Sequence, residues 1–344
     1  YEESRAEDPN KIQNPVIYGR LSGDLCFLVS DFEKEFSKIE ILIDERKYKE
    51  SLDLVSIIIS KNPNNPKAYT QKGIINNNLD RYDEALVDFN RAIELDPEYI
   101  NAYINRALAY KDLERYEEAL ADYTRCIELD PENTYSYYRR GYDYYDLERY
   151  EEALVDFNRA IELDPEYINA HISRALVYTK FERYEEALAD HTRCIELDPE
   201  DHLIYNNRGW LYYGLERFDE AIFDYTRCIE LNPEFINGYI NRATLYEGLE
   251  RYDEALADYT RVLEIDSYSS NPYGYNARAL VYNQLDRYEE ALVDFNKAIE
   301  LDPEYHWSYN NRGFLYYNLE RFDEAMFDYT RCIELDPEYK WAYA

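Results

Sequence analysis

Histidine, cysteine and glycine are scarce in this chain, at four, five and ten among 344 residues. No glycine-rich phosphate loop, CxxC pair, HExxH or GxSxG motif occurs, so the commonest arrangements for phosphate binding, thiol redox, zinc proteolysis and acyl transfer have no home. No catalytic residue is nominated, and no metal or cofactor is expected. Long apolar runs are also missing. The longest, such as Leu54 to Ile59, contains Ser56, which argues against membrane insertion. Basic residues are few: 38 Lys and Arg face 72 Asp and Glu, a net charge of −34. Such a surface repels a phosphate backbone, so nucleic acid is not an expected partner. Hydrophobic residues, by contrast, make up 46% of the chain and include 40 tyrosines, enough for an extensive core and too many for a disordered chain.

The prolines reveal the organisation. Pro63, Pro97, Pro131, Pro165, Pro199 and Pro233 are spaced by 34 residues, Pro303 follows after two periods plus two residues, and Pro337 closes another period. The two extra residues lie between Asp266 and Pro272, in a polar turn. Aligned on this period, Gly73 is followed by Ala107, Gly141, Ala175, Gly209, Ala243, Ala279 and Gly313, and Ala85 heads a column of alanines. Large rings fill the Tyr69 and Phe89 columns, with His171 and His191 as the two substitutes. Within one period Tyr103, Ala107 and Tyr110, then Tyr116, Ala119, Leu120, Tyr123 and Ile127, recur at three- and four-residue spacing, which is the helical period. The spacing predicts a first helix near Asn101 to Leu113 and a second over Tyr116 to Leu129, ended by Asp130 and Pro131. Small residues on facing helices let the backbones approach, so each period reads as an antiparallel pair.

A 34-residue period with these small and ring columns and a closing proline resembles the tetratricopeptide repeat family. The resemblance covers residue 32 onward. It divides the chain into a non-repeat segment or cap (1–31), a degenerate repeat (32–65), eight repeats (66–99, 100–133, 134–167, 168–201, 202–235, 236–269, 272–305, 306–339) and the start of a further helix (340–344). It implies an all-α, right-handed solenoid of helix pairs. Arginine stands where the family pattern has leucine, at Arg106, Arg140, Arg174, Arg208, Arg242, Arg278 and Arg312, and the acidic Asp122 column faces it. An Arg–Asp pair inside each repeat is expected.

Seven acidic and three basic columns recur from frame to frame with two departures, Asn232 and Tyr268, so most of the negative charge belongs to the scaffold and keeps it soluble. Cys126, Cys194, Cys228 and Cys332 fall in the small Ala92 column and read as packing residues; equivalent positions about 10 Å apart lie beyond disulfide reach. Reduced thiols point to a cytoplasmic protein. His171, His191 and Cys194 form the one metal-like constellation, and the simpler reading has both imidazoles filling ring positions and finding ordinary hydrogen bonds.

Because the frame is constant, function is expected in the columns that vary, those of Lys67, Thr70, Gln71, Ile74, Asn77 and Asn78, which share one face of the first helix. In the family this face lines a concave groove that receives peptides or partner helices, and the resemblance assigns it that role here. Asn105, Asn207, Asn241 and Asn311, with Arg139, supply donors and acceptors suited to an extended backbone, or simply solvate the face. Tyr135, Tyr138, Tyr142 and Tyr145, then Trp210 and Tyr213, then Trp307, Phe314 and Tyr317 supply rings. These anchor a partner or pack on the next repeat, the second reading being strongest for Tyr145, Tyr213 and Tyr317. The family's clamp for chaperone tails needs asparagine in the Ile74 column, which instead carries leucines, rings and Thr244. The expected function is therefore a non-catalytic scaffold holding a protein or peptide ligand, monomeric or weakly self-associating. A recruiting arm of a larger enzyme, or a self-assembling scaffold, are the alternatives.

Overall fold

The computed structural model describes residues 23–265 and 272–337, without the side chains of 23–32. Among these residues are eighteen α-helices and no strand. They run α1 (Gly23–Asp44), α2 (Tyr48–Lys61), α3 (Pro66–Asn78), α4 (Tyr82–Leu95), α5 (Ile100–Asp112), α6 (Tyr116–Leu129), α7 (Thr134–Asp146), α8 (Tyr150–Leu163) and α9 (Ile168–Lys180). The rest are α10 (Tyr184–Leu197), α11 (His202–Gly214), α12 (Phe218–Leu231), α13 (Ile236–Gly248), α14 (Tyr252–Ile265), α15 (Pro272–Gln284), α16 (Tyr288–Leu301), α17 (His306–Asn318) and α18 (Phe322–Leu335). Packing divides the chain at Asp143 and Tyr144, inside α7, into two units. In each, odd- and even-numbered helices pair, the second helix of a pair packs on the first helix of the next, and the first helices α3 and α5, α11 and α13, and α15 and α17 also touch. The helix starting at Gly23 begins inside the segment expected to precede the repeats. Residues 1–22, the polar turn at 266–271 and the tail 340–344 lie outside the described residues, together with the cap, insertion and extra helix expected there.

The turn inside each pair explains the helix ends. Leu113, Glu114 and Arg115 close α5 with the Arg115 N–H donating to the Tyr110 carbonyl at 2.8 Å, while Glu114 takes a left-handed φ of 58°. Arg115 then lies over the Tyr110 ring at 4.6 Å and donates to Glu118. Glu117 and Glu118 stand in the first turn of α6, where the helix dipole favours negative charge. Nine acidic or basic residues, one per turn, adopt this left-handed conformation without glycine, and an L-residue pays about 1 kcal/mol or more there. Glu182→Gly is therefore expected to raise the unfolding free energy by about 0.5–1 kcal/mol, after glycine's own entropic cost. Denaturant titration of the variant checks this; a loss of stability would mean that the Glu182 side chain holds the turn.

Small residues are required where the helices of a pair cross. A Cβ on Gly73 would lie 2.5 Å from the Phe89 ring, and one on Gly209 would lie 2.9 Å from the Tyr225 ring. The rings on the facing helix occupy that space: Phe89, Tyr123, Phe157 and Phe295 are fully buried. Six of the expected Arg–Asp pairs are seen, and in the first full repeat Lys72 takes the arginine's place against Asp88. Arg106 chelates Asp122 through two bonds of 2.8 and 2.6 Å, and Arg174, Arg208, Arg242, Arg278 and Arg312 do the same with Asp190, Asp224, Asp258, Asp294 and Asp328. Each guanidinium spends its remaining nitrogen on the preceding pair: Arg106 on Asn90, Arg208 on Thr192, Arg242 on Thr226. One arginine thus ties the two helices of its own pair and links neighbouring pairs.

Candidate functional site

The first-helix face differs between the two units. In the first, it is polar. A concavity of about 280 Å³ between α3, α5 and the start of α7 is bordered by Asn77, Asn105, Lys111, Asp112 and Arg139. Tyr135, Tyr138 and Tyr142 are half-buried here. Arg139 lies over the Tyr135 ring at 5.9 Å, Lys111 lies over the Tyr142 ring at 4.4 Å, and the Tyr138 and Tyr142 rings are 6.3 Å apart. These rings are therefore packed among cations of the same face. Asp143, fully buried where Ile75, Ala109, Val177 and Leu211 hold the same column, has Lys111 at 3.5 Å; this departure was legible in the sequence as an acid in an apolar column.

In the second unit the face is aromatic and open. Trp210 is 58% exposed, Phe314 52%, Tyr317 56%, Trp307 43% and Tyr213 41%. Among the described residues Tyr213 and Tyr317 meet rings at the start of the following helix, Phe218 at 6.2 Å and Phe322 at 5.7 Å, and Tyr213 stays open beside the next helix pair. Tyr145 is half-buried, with Tyr150 at 5.4 Å.

The asparagine column is less available than its spacing suggests. Asn105 donates to the Asn101 carbonyl of its own helix at 2.7 Å, Asn241 to Asn206 at 2.9 Å, and Asn311 to Asn276 at 3.1 Å. The Asn241 and Asn311 donors link successive first helices while that of Asn105 stays within its own; the side-chain oxygens of Asn105 and Asn241 are left open to a ligand, and that of Asn311 accepts from Asn310 at 3.4 Å. Asn207 alone of the four is exposed and makes no hydrogen bond among the described residues.

Between α13 and α15 the face opens into a pocket of about 340 Å³ that sequence reasoning missed. Ala277 interrupts the asparagine column there, and Glu247, Thr244, Tyr259, Tyr273 and Tyr305 line it. The Tyr259 hydroxyl donates to Glu247 Oε2 and meets Thr244 Oγ1, both at 3.3 Å. Burial raises the Glu247 carboxyl above the ordinary carboxylate range against the pull of that hydroxyl, and pushes the Tyr259 phenol up to about 12.

A second missed feature lies on the even-numbered helices. Val87, Val155, Phe223, Val293 and Phe327, all in one column, are each about two-thirds exposed, so the acidic outer face carries apolar side chains as well.

The cysteines are where packing puts them. Cys126, Cys194 and Cys228 are buried free thiols, and burial pushes each up to about 12, which keeps them protonated and unreactive at neutral pH. His171 bonds Asp190 and the Pro165 carbonyl. With Arg174 it outweighs burial and holds the Asp190 carboxyl below the ordinary range. His191 corrects the sequence-based reading, because its Nδ1 is buried with no hydrogen-bond partner among the described residues. Burial lowers its pKa to about 4. Among the described residues no cluster of three or more His, Cys, Asp or Glu is placed to hold a metal, and no helix is long and apolar enough to cross a membrane.

Sequence profiles of the tetratricopeptide repeat match residues 66–99, 100–133, 134–167, 168–201, 202–235, 236–269 and 306–339, and a further profile for the same repeat matches 279–320. No curated protein matches the sequence. Among solved structures, the chain is similar to a tetratricopeptide repeat protein from Parabacteroides merdae, with 22% identity and a TM-score of 0.52 over 73% of this chain and 99% of that one. It is also similar to pilF of Pseudomonas aeruginosa, with 19% identity and a TM-score of 0.51 over 64% of this chain and 96% of that one. At such identities the likeness concerns the fold. The repeat profiles, the helix pairs and the shared small and ring columns place this chain in the tetratricopeptide repeat family.

Proposed function

We propose that this chain is a non-catalytic scaffold that holds a peptide or partner segment against its first-helix face. The observation that supports the reading is the open row of rings in the second unit, with Trp210, Phe314 and Tyr317 each more than half exposed. Large rings left in water forgo roughly 25 cal/mol for every Å² they would bury, and such rings are the side chains that most often anchor interfaces. The neighbouring asparagine carbonyls offer acceptors to the N–H groups of an extended backbone.

The exposed apolar column on the even-numbered helices is the rival surface, and the test compares the two. Peptides selected from a displayed random library on the parent chain are rebound to Trp210→Ala/Phe314→Ala and to Phe223→Ala/Phe327→Ala. Loss of about tenfold or more in affinity is expected for the first variant and no change for the second, with both melting like the parent. The reverse pattern would move the binding surface to the outer face.

A further inference from the structure

The pocket between α13 and α15 has a cause in the repeat pattern. At two junctions of the second unit an asparagine bridges one first helix to the previous one, Asn241 to Asn206 and Asn311 to Asn276. Here the corresponding residues are Ala277 and Ile240, which cannot bridge, and the space stays open. Its wall is apolar, with Ile240, Ala277 and Leu280, and its lip is formed by Tyr273, 62% exposed, and Tyr305, whose rings meet edge to face at 4.7 Å.

Inside stands Glu247, the one acid in a column otherwise holding Asn77, Lys111, Tyr145, Thr179, Tyr213, Asn283 and Tyr317. Its carboxylate accepts the Tyr259 hydroxyl and has no cationic partner among the described residues. The stretch 266–271 contains no Lys, Arg or His to provide one. A half-buried carboxylate among apolar and aromatic walls strongly favours a cation, because both the charge and the ring faces attract it where water is partly excluded. The chain uses cation–ring contacts elsewhere: Lys111, in the Glu247 column of another repeat, rests its ammonium 4.4 Å from the Tyr142 ring.

We propose that this pocket receives one lysine or arginine side chain of the bound peptide, its aliphatic stem along Ile240, Ala277 and Leu280 and its charged head against Glu247 and the tyrosine rings. The volume of about 340 Å³ lies at the small end of ligand pockets and suits a single side chain. This inference rests on the peptide-scaffold reading and adds a position-specific demand to it.

The test uses N-acetyl-lysine methylamide, N-acetyl-arginine methylamide and the uncharged N-acetyl-norleucine methylamide. Each is titrated into the full chain and into Glu247→Gln, and the labelled methyl resonances of Thr244, Ala277 and Leu280 are followed. The two cationic amides are expected to shift these resonances with an affinity about tenfold or more above norleucine, and Glu247→Gln, melting like the parent, is expected to erase the difference. Equal response to norleucine, or no response to any amide, overturns the cation pocket. If that occurs while library peptides still depend on Trp210 and Phe314, the scaffold reading stands without it. If the amides bind as expected but peptides ignore Trp210 and Phe314, the cation pocket stands and the peptide face is misplaced.

Discussion

Replacing Arg208 with methionine is expected to lower the unfolding free energy by about 3–5 kcal/mol, the cost of leaving a buried carboxylate without its partner. Asp224 is completely buried, and Arg208 holds both its oxygens, at 2.7 and 2.8 Å. Burial raises the Asp224 carboxyl even with the guanidinium present, so without it the side chain must protonate or draw in water. The third bond of Arg208, 3.1 Å to Thr192, joins the preceding helix pair. In a linear array stability is a sum of pair and neighbour terms, so the variant should also unfold less cooperatively. Guanidinium titration followed by Trp210 fluorescence and by far-ultraviolet circular dichroism should give separated transitions. The double variant Arg208→Met/Asp224→Leu removes both charges and is expected to recover most of the loss. A loss below about 1 kcal/mol in Arg208→Met would show that the pair is solvated.

The second large effect concerns acid. The buried His191 imidazole titrates at about 4 in the folded chain against an ordinary 6.5. Above pH 6.5 it is neutral in both states and contributes nothing. As pH falls from 6.5 toward 4 the unfolded chain gains a proton that the folded chain refuses, so stability drops, by about 3 kcal/mol at the lower limit. His191→Phe places the ring found in this column at Phe89, Phe157 and Phe295, the last of these in one core cluster with Ala279, which holds the column of Ala175. The difference in unfolding free energy between variant and parent should therefore be small-sloped above pH 7 and widen steadily below 6.5. A difference that stays constant with pH would show that His191 is protonated or hydrated inside the fold.

Much of this molecule was legible in one dimension because its constraints repeat. A glycine or alanine across from every ring, an arginine or lysine sixteen residues before every aspartate, and a thiol, alanine or valine at every second-helix crossing each state a packing rule in eight copies. Helix pairs, their 34-residue frame, the Arg–Asp pairs and the burial of the cysteines follow from that periodicity, since they depend on residues within one pair. What varied between copies was harder to read. The asparagine column was visible, but its donors are consumed by residues 35 positions away, Asn241 by Asn206 and Asn311 by Asn276. Tyr138 and Trp210 look alike as rings on a stripe, yet one is packed beside Tyr142 and the other stands in solvent.

The sequence alone determined the all-α repeat architecture, the scale of the core and the face on which a partner is sought, because hydrophobic period and turn chemistry act locally. The tertiary structure alone decided which rings on that face are open, that His191 Nδ1 has no hydrogen-bond partner among the described residues, and that Ala277 opposite Ile240 leaves a cavity over Glu247. Those outcomes depend on contacts between successive helix pairs, where the neighbour's side chain sets whether a group is covered, bonded or exposed.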